Sequence, residues 1–260
     1  MIEEPYRWVE AIANRREYIE HQLGGGSPIV ALSFKEGIVL FTLGRERQKL
    51  FEIYDRIAMG AIGHPGDIER LRMMALELAS TEGFVRSGDD VSLRRLATYS
   101  LSSVLKTAFE QIYGAPYLAR MLFVELGRGD LPDLFLRLEY DGAIHTNGGG
   151  FGRAFEEFGV LSGNASSTAQ MTRFLQEQNF ANVSLEKALR VALEAWTVGH
   201  LALGAEDSME LPSSATIALH AEEQLTAASI EAAVLDRSTS LPVTWRLLTD
   251  AALRPLLQSR

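Results

Sequence analysis

Strand patterns between residues 27 and 63 constrain this sequence more than any other feature. Apolar side chains occupy both sides of segment 29–34, and again of segment 38–43, which is typical of strands buried on both faces. Lys35-Glu36-Gly37 separates the two segments and predicts a hairpin turn with glycine at a positive φ. Two more strand patterns follow, one on each side of Asp55-Arg56. The sequence therefore predicts four consecutive strands at the start of its main β-structure.

Composition and charge argue against several classes of function. The chain has 260 residues and a formal net charge of −9, which disfavours nucleic acids and acidic membrane surfaces as partners. It contains no cysteine, so disulfides, cysteine nucleophiles and cysteine zinc sites are excluded. Its first residues are acidic rather than basic, and no apolar run approaches the ~18 residues of a membrane span. We expect a cytoplasmic protein with neither nucleic-acid nor membrane partners.

An amphipathic helix is predicted upstream of the strands, from Pro5 to Leu23. Proline suits the first turn of a helix, and Gly24-Gly25-Gly26 ends it. Its apolar residues share one stripe, formed by Val9, Ile12, Ile19 and Leu23. This stripe needs an apolar partner, which is either the rest of the same domain or a neighbouring subunit. The residues alone favour neither.

Two pairs of helices separate the remaining strands. The apolar spacing and the turn signals predict helices 68–82 and 91–109, strands 117–127 and 134–140, helices 166–178 and 185–203, strand 229–236 and a final helix 249–257. Residues 204–212 are predicted to form an exposed acidic loop, and His220–Glu223 a solvated turn. Each helix pair needs a sheet face to cover. We therefore expect one α+β domain over residues 1–260, folded as a four-layer α-β-β-α sandwich.

Four segments of the chain resemble proteasome subunits, and the α type more closely than the β type. Three belong to the first strands: SPIVALSFKEGIVL (27–40), QKLFEIYDRI (48–57) and Gly60-Ala61-Ile62-Gly63. The fourth, SIEAAVLDRSTSLPVTWRLLTDAALRPLL (229–257), resembles the end of actinobacterial α-subunits. The resemblance implies the four-layer fold of N-terminal nucleophile hydrolases, with an added outer helix at the N-terminus.

The resemblance to α-type subunits implies a non-catalytic role in a bacterial proteasome. Such a subunit forms a heptameric ring with copies of itself and stacks on β-subunits, which carry out proteolysis. It also docks an AAA ATPase activator through the activator's C-terminal tail. Residues 1–26 would then comprise the outer helix and, before it, a gate segment formed by Met1, Ile2, Glu3 and Glu4. The resemblance also favours a neighbouring subunit as the partner of the apolar stripe of this helix.

Three residues match the activator pocket of α-type subunits, namely Lys49, Gly63 and His64. The resemblance implies that Lys49 binds the terminal carboxylate of the activator, and a compact ammonium group suits that contact. A side chain at Gly63 would block the close approach of the backbone. His64 departs from the family pattern, because archaeal subunits have leucine at this position.

The catalytic β-type subunits suggest a different class of function, a self-processed hydrolase. In their pattern, Ser27 takes the place of the terminal threonine nucleophile, Leu43 that of an aspartate and Lys49 that of a lysine. Leucine cannot orient or ionise a partner, Pro28 lacks an N–H, and the upstream segment is predicted to be a folded helix rather than a propeptide. We therefore expect no catalytic residue in this chain. A stand-alone structural oligomer is the remaining alternative.

Metal and cofactor sites are not predicted. A metal-ligand spacing is missing among the five histidines, which are His21, His64, His145, His200 and His220. The glycine-rich segment 148–152 lacks the ending of a phosphate loop and is expected to be a flexible loop. Asp89-Asp90 is interpreted as the start of a helix.

Overall fold

The four N-terminal strands divide between two sheets. The computed structural model describes residues 5–44, 47–111, 113–146, 157–179, 182–204 and 210–258. Within these ranges, ten strands form two antiparallel sheets of five strands each. Sheet A consists of Ile29–Phe34 (β1), Gly37–Gly44 (β2), Phe158–Leu161 (β8), Ser229–Asp236 (β9) and Trp245–Leu248 (β10), in the order β10-β9-β2-β1-β8. Sheet B consists of Leu50–Tyr54 (β3), Ile57–Gly63 (β4), Ala119–Glu125 (β5), Leu134–Leu138 (β6) and Ile144–Thr146 (β7), in that order.

The two sheets pack face to face, which explains the apolar residues on both sides of the first strands. Ile29 and Ala31 of β1 join a buried cluster with Leu122 of sheet B. The intervening residues Val30 and Leu32 belong to another cluster, shared with the helices outside sheet A. Strand β1 therefore buries both of its faces, as its sequence predicts.

Helices cover the outer face of each sheet. The helices of the described residues are Pro5–Leu23 (α1), Pro65–Val85 (α2), Leu93–Arg95 (α3), Ser102–Glu110 (α4), Ala165–Gln176 (α5), Leu185–Leu203 (α6), Ser214–Ala227 (α7) and Asp250–Gln258 (α8). A π-helical segment, Leu96–Leu101, joins α3 to α4. Helices α5 to α8 pack on sheet A, and α2 to α4 pack on sheet B. The predicted four-layer sandwich with an N-terminal helix is confirmed.

Side-chain caps fix the starts of three helices. Asn164, Ser184 and Ser213 precede α5, α6 and α7, and each side chain accepts a hydrogen bond from the backbone N–H three residues later. Such a cap satisfies one of the donors that the first turn of a helix leaves unpaired. The predicted bounds of helix 185–203 and strand 229–236 are confirmed.

Several predictions for the rest of the chain were wrong or incomplete. His220–Glu223, predicted to be a solvated turn, lies inside α7, whose buried residues Ile217, Ala221 and Leu225 recur every four positions. Strand β10 was not predicted, and the helix predicted at 91–109 contains the π-helical segment. Most of the predicted loop 204–212 lies outside the described residues.

Helix α1 packs on its own chain through the C-terminal end of its apolar stripe. Ile19 and Leu23 are 0% and 1% exposed and pack in a cluster with Tyr140. Their burial leaves no surface for a neighbouring subunit, so the interface hypothesis no longer includes them. Ile12 packs partly buried against the same cluster, whereas Val9 is 65% exposed. The free part of the stripe is therefore its N-terminal end.

Candidate functional site

Two of the three predicted pocket residues line one cavity between the start of β3, the end of β4 and the start of α2. The cavity has a volume of about 580 Å³ and is lined by Gly26, Ser27, Arg47, Gln48, Lys49, Phe51, Ala61, Ile62, Gly63, Pro65, Ile68 and Glu69. We call it the Lys49 pocket. The structure thus brings Lys49 and Gly63 together, while His64 does not belong to the lining.

The Lys49 ammonium is partly withdrawn from water. Burial lowers the pKa of Lys49 from 10.5 to about 8, and the carboxylate of Glu231 opposes this shift. Glu231 in β9 accepts hydrogen bonds from the backbone N–H groups of Lys49 and Leu50, at 2.9 and 2.8 Å, and so fixes the start of β3. Among the described residues, the Lys49 ammonium forms no ion pair. A carboxylate that entered the pocket would therefore meet an incompletely neutralised cation.

The other charges at the pocket leave it with a positive character. Arg47 is exposed. Glu69 accepts hydrogen bonds from two nitrogens of Arg72, at 2.8 and 2.7 Å, and these bonds lower the pKa of Glu69. The lining of the pocket therefore carries two cations, Lys49 and Arg47, and one carboxylate, which is already paired with Arg72.

The sequence analysis did not predict the residues that form the apolar wall of the pocket. Phe51, Ile62 and Ile68 supply its largest apolar side chains. Phe51 and Ile62 lie on the strand patterns that the sequence predicts, and Ile68 lies on the helix that follows. Alternation along β3 and β4 would have placed two of these side chains on defined faces. Only the pairing of β3 with β4 brings them next to Lys49.

Gly63 ends β4 in a conformation that glycine adopts readily and other residues rarely do. Its φ is 131°, and a Cβ atom there would lie 2.0 Å from the carbonyl oxygen of Leu118. His64 donates its backbone N–H to the same oxygen, at 2.7 Å, and its Nδ1 accepts the N–H of Gly66, which caps α2. Gly63 is therefore required by the path of the backbone, and the His64 imidazole is engaged with α2.

Ser27 lies in the same pocket but lacks the partners of a terminal nucleophile. Its hydroxyl donates a hydrogen bond to the carbonyl oxygen of Leu43. Helix α1 precedes it, and the Leu43 side chain is buried in the core between sheet A and helices α5 to α8. The two groups that activate such a nucleophile, a free α-amine and an aspartate, are replaced here by a peptide bond and a buried leucine.

Other predicted features lie outside the site or outside the described residues. The gate segment Met1 to Glu4 and the glycine-rich segment 148–152 belong to the parts of the chain that are not described. In the described ranges, no group of three or more acidic or histidine side chains is placed to hold a metal ion. None of the helices described is both long and apolar enough to cross a lipid bilayer.

A family model described as proteasome subunit matches residues 24–200. The chain belongs to the proteasome subunit family. The matched range runs from just after α1 into the last turn of α6 and contains every residue of the Lys49 pocket. The resemblance read from the strand segments is therefore confirmed.

Curated members of the proteasome family are similar over most of the chain. It is 29% identical to the proteasome subunit alpha of Frankia casuarinae, over 93% of this chain and 91% of the relative. It is 28% identical to that of Kineococcus radiotolerans, over 95% and 94%. It is 30% identical to that of Streptomyces scabiei, over 72% and 71%. All three relatives are named as alpha subunits.

Proposed function

We propose that this chain is a non-catalytic α-type subunit of a bacterial proteasome. The observation that carries the proposal is the position of α1, which is folded against the body directly upstream of Ser27. A terminal nucleophile would require cleavage before Ser27, and cleavage would remove the 19-residue helix whose Ile19 and Leu23 fill a buried cluster. The similarity to alpha subunits along most of the chain supports the same assignment.

The proposed subunit assembles into a heptameric ring that stacks on a ring of catalytic β-subunits. The exposed N-terminal end of α1 supports a contact with a neighbouring copy, because Trp8 and Val9 there are 40% and 65% exposed. Apolar side chains grouped on a surface are typical of protein contacts. The gate role of Met1 to Glu4 remains a prediction.

The Lys49 pocket is proposed to dock the C-terminal tail of an AAA ATPase activator. Its partly buried ammonium suits a terminal carboxylate, since hydrogen bonds between charged partners are stronger than neutral ones. The apolar wall of Phe51, Ile62 and Ile68 suits the apolar side chains that precede such a carboxylate.

Co-expression with a threonine-terminated β-subunit tests this proposal. We expect native mass spectrometry to show a stacked particle in which this chain is uncleaved after residue 26. Peptide hydrolysis by the particle should disappear when the terminal threonine of the β-subunit is changed to alanine, and should persist with Ser27→Ala in this chain. Loss of residues 1–26 with activity that depends on Ser27 would favour the self-processed hydrolase. A stable oligomer of this chain that does not bind the β-subunit would favour the stand-alone structural protein.

A further inference from the structure

Arg120 in β5 is a buried cation that joins three separate segments of the chain. The residue is only 7% exposed. One terminal nitrogen donates to both carboxylate oxygens of Glu20 in α1, at 2.5 and 2.6 Å. Its Nε donates to Glu139 at 2.6 Å, and the other terminal nitrogen donates to the carbonyl oxygen of Gly163 at 2.6 Å. The guanidinium therefore binds α1, the segment after β6 and the segment after β8 at once.

The groups around Arg120 hold Glu20 in place. The Tyr140 hydroxyl donates to Glu20 at 2.7 Å, and the Arg120 guanidinium lies 5.5 Å from the centre of the Tyr140 ring. Arg137 lies 2.8 Å from the second oxygen of Glu139, so two cations face two carboxylates. The cluster is therefore balanced in charge. Through Tyr140 it continues into the apolar cluster that anchors α1.

A second arginine fixes α1 at the end of α4. Arg15 donates to the backbone carbonyl oxygens of Phe109, Gln111 and Gly114, at 2.8, 2.6 and 3.2 Å. Carbonyl groups at the end of a helix lack partners within that helix, so Arg15 satisfies groups that α4 leaves open. Arg15 and Glu20 thus hold the C-terminal half of α1 at two points that are five residues apart.

The Arg120 cluster adjoins the Lys49 pocket by two short connections. In the ladder between β4 and β5, Arg120 lies opposite Ile62, which forms part of the pocket wall. Gly26, which also lines the pocket, accepts a hydrogen bond from the N–H of Gly163 at 3.0 Å. The carbonyl of Gly163 is in turn bound by Arg120. Gly26 follows the last residue of α1, Leu23, by three positions.

We infer that Arg120 is a positioning residue that couples the end of α1 to the Lys49 pocket. Its guanidinium holds the last turns of α1 through Glu20 and holds the glycine segment at the pocket wall through Gly163. Filling the pocket then restricts α1, and loosening α1 weakens binding in the pocket, because coupling between two sites is reciprocal. The binding half of this inference rests on the proposed function, since it assumes a peptide carboxylate in the pocket.

Two substitutions loosen the anchor by different means. Arg120→Lys keeps the charge but loses the planar fork that reaches three partners. Glu20→Gln keeps the shape of the partner and removes its charge. Because the Glu20 side chain is 42% exposed, we expect the chain to fold with glutamine at this position. The matched control is Arg16→Gln, also in α1, which removes an ion pair to Asp141 and a cation that lies 5.5 Å from the centre of the Phe109 ring. Arg16 is 52% exposed, and exposed pairs contribute little.

The first readout is hydrogen exchange of the unliganded chain. We expect the amides of residues 17–26 to exchange roughly ten- to a hundredfold faster in Arg120→Lys, the factor expected when a hydrogen bond to a charged group is lost. The increase in Glu20→Gln should be smaller, roughly several-fold, because solvent screens a side chain that is 42% exposed. The amides of β9 should keep their wild-type protection, and Arg16→Gln should resemble the wild type. No change in either variant, or an equal rise along the whole chain, would overturn the positioning role.

The second readout is binding of a labelled peptide that ends in Leu-Phe-Leu with a free carboxylate. We expect Arg120→Lys and Glu20→Gln to weaken its binding several-fold, and the bound peptide to slow exchange in α1 of the wild type more than in Arg120→Lys. Equal affinity for the wild type and both variants would overturn the coupling. If the wild type does not bind the peptide, both the proposed docking function and the proposed coupling are rejected. The hydrogen-exchange measurement then decides by itself whether Arg120 anchors α1.

Discussion

The hydroxyl of Ser27 donates a hydrogen bond to the backbone carbonyl oxygen of Leu43, at a distance of 2.7 Å. The bond links the residue two positions before β1 to the end of β2. The resemblance to β-type subunits places the nucleophile and its aspartate at these two positions. Here a main-chain oxygen accepts the hydrogen bond of the serine hydroxyl, so the Ser27 side chain ties the segment before β1 to β2, with which β1 is already paired in sheet A.

Ser27→Ala should therefore affect stability and leave proteolysis unchanged. Removing a partly buried hydrogen bond to a backbone oxygen should lower the free energy of unfolding by about 0.5–1.5 kcal/mol. Urea unfolding of the isolated chain measures this loss. Peptide hydrolysis by the assembled particle should match that of the wild type. A particle that loses its hydrolytic activity with Ser27→Ala would return this chain to the class of enzymes.

The resemblance to α-type subunits implied that Lys49 and Gly63 share a pocket, and both residues line one cavity in the structure. The anchor at Arg120 could not be predicted from the sequence. Glu20 and Arg120 are 100 positions apart, and neither stands in a motif. Their contact depends on how α1 lies against the start of β5. Burial of an arginine is also against the usual preference of charged residues for the surface, so nothing in the local sequence suggests it.

The two ends of the α1 stripe should respond differently to a charge. Ile19→Asp buries a carboxylate at a site that is 0% exposed and should lower the free energy of unfolding by several kcal/mol. Val9→Asp changes a residue that is 65% exposed and should shift it by no more than about 0.5 kcal/mol. Thermal unfolding followed by circular dichroism separates the two.

Size-exclusion chromatography of the Val9→Asp and Ile19→Asp variants measures the effect of each substitution on ring assembly. Val9→Asp should reduce the fraction of rings while the isolated chain remains folded. Unaltered rings with Val9→Asp would remove the N-terminal end of α1 from the subunit contact. A stable, folded Ile19→Asp chain would contradict the packing of α1 on its own body.

Helix α7 shows why part of the fold escaped prediction from the sequence. Only Ile217, Ala221 and Leu225 of this helix are buried, and one of the three is a small alanine. The stripe is narrow, and the positions between its members hold polar residues together with apolar ones that are not buried, such as Leu219 at 62% exposed. Strand β10 has even less signal, since Arg246 and Leu247 at its centre are both exposed. It forms because β9 offers it an unpaired edge.

Gly63→Ala should destabilise the chain because the backbone there has no room for a side chain. The φ of 131° is unfavourable for alanine, and its Cβ would lie 2.0 Å from the Leu118 oxygen. We expect a loss of about 1–3 kcal/mol in the free energy of unfolding. Gly25→Ala is the matched control, since no atom lies within 4 Å of a Cβ at that position. Similar unfolding midpoints for the two variants would show that the strained turn at Gly63 relaxes freely.

His200 in α6 and His220 in α7 form a partly buried pair that lies close enough to Lys49 to feel its charge. The Nδ1 of His200 lies 2.8 Å from the Nε2 of His220, and the Trp196 ring stacks on His200 with centres 4.7 Å apart. Burial first, then His220 and Lys49, lower the pKa of His200 below its ordinary 6.5. Glu223, 3.7 Å from the other nitrogen of His220, is the carboxylate at this pair.

This lowered pKa makes stability depend on pH in one direction. Between the folded and unfolded pKa values, the unfolded chain binds the proton of His200 and the folded chain does not. The free energy of unfolding should therefore fall as the pH decreases below about 6.5. His200→Gln should reduce that slope, and His145→Gln, at an exposed position in β7, should leave it unchanged. A slope equal to the wild type in His200→Gln would contradict the assignment.

Binding in the Lys49 pocket should depend on pH and on the charge of Lys49. The pKa of Lys49 in the free chain is about 8, and only its protonated form attracts a carboxylate. Affinity for a peptide with a free C-terminus should therefore fall as the pH rises through about 8. Lys49→Ala removes one charge-assisted contact, worth about 1.5–3 kcal/mol, and should weaken binding roughly ten- to a hundredfold at neutral pH. Fluorescence anisotropy of the labelled peptide measures both effects.

Three comparisons decide whether that pH dependence belongs to Lys49. Lys49→Arg should keep its charge at every pH used, so its affinity should stay constant where that of the wild type falls. Amidating the peptide should mimic Lys49→Ala, and the two changes together should add little, as expected for partners in one contact. Hydrolysis of small peptides by the β-subunits should be unaffected, because Lys49 takes no part in their chemistry. If Lys49→Ala instead abolished a hydrolytic activity of this chain alone, Lys49 would be a catalytic lysine beside Ser27, and the α-type assignment would fall.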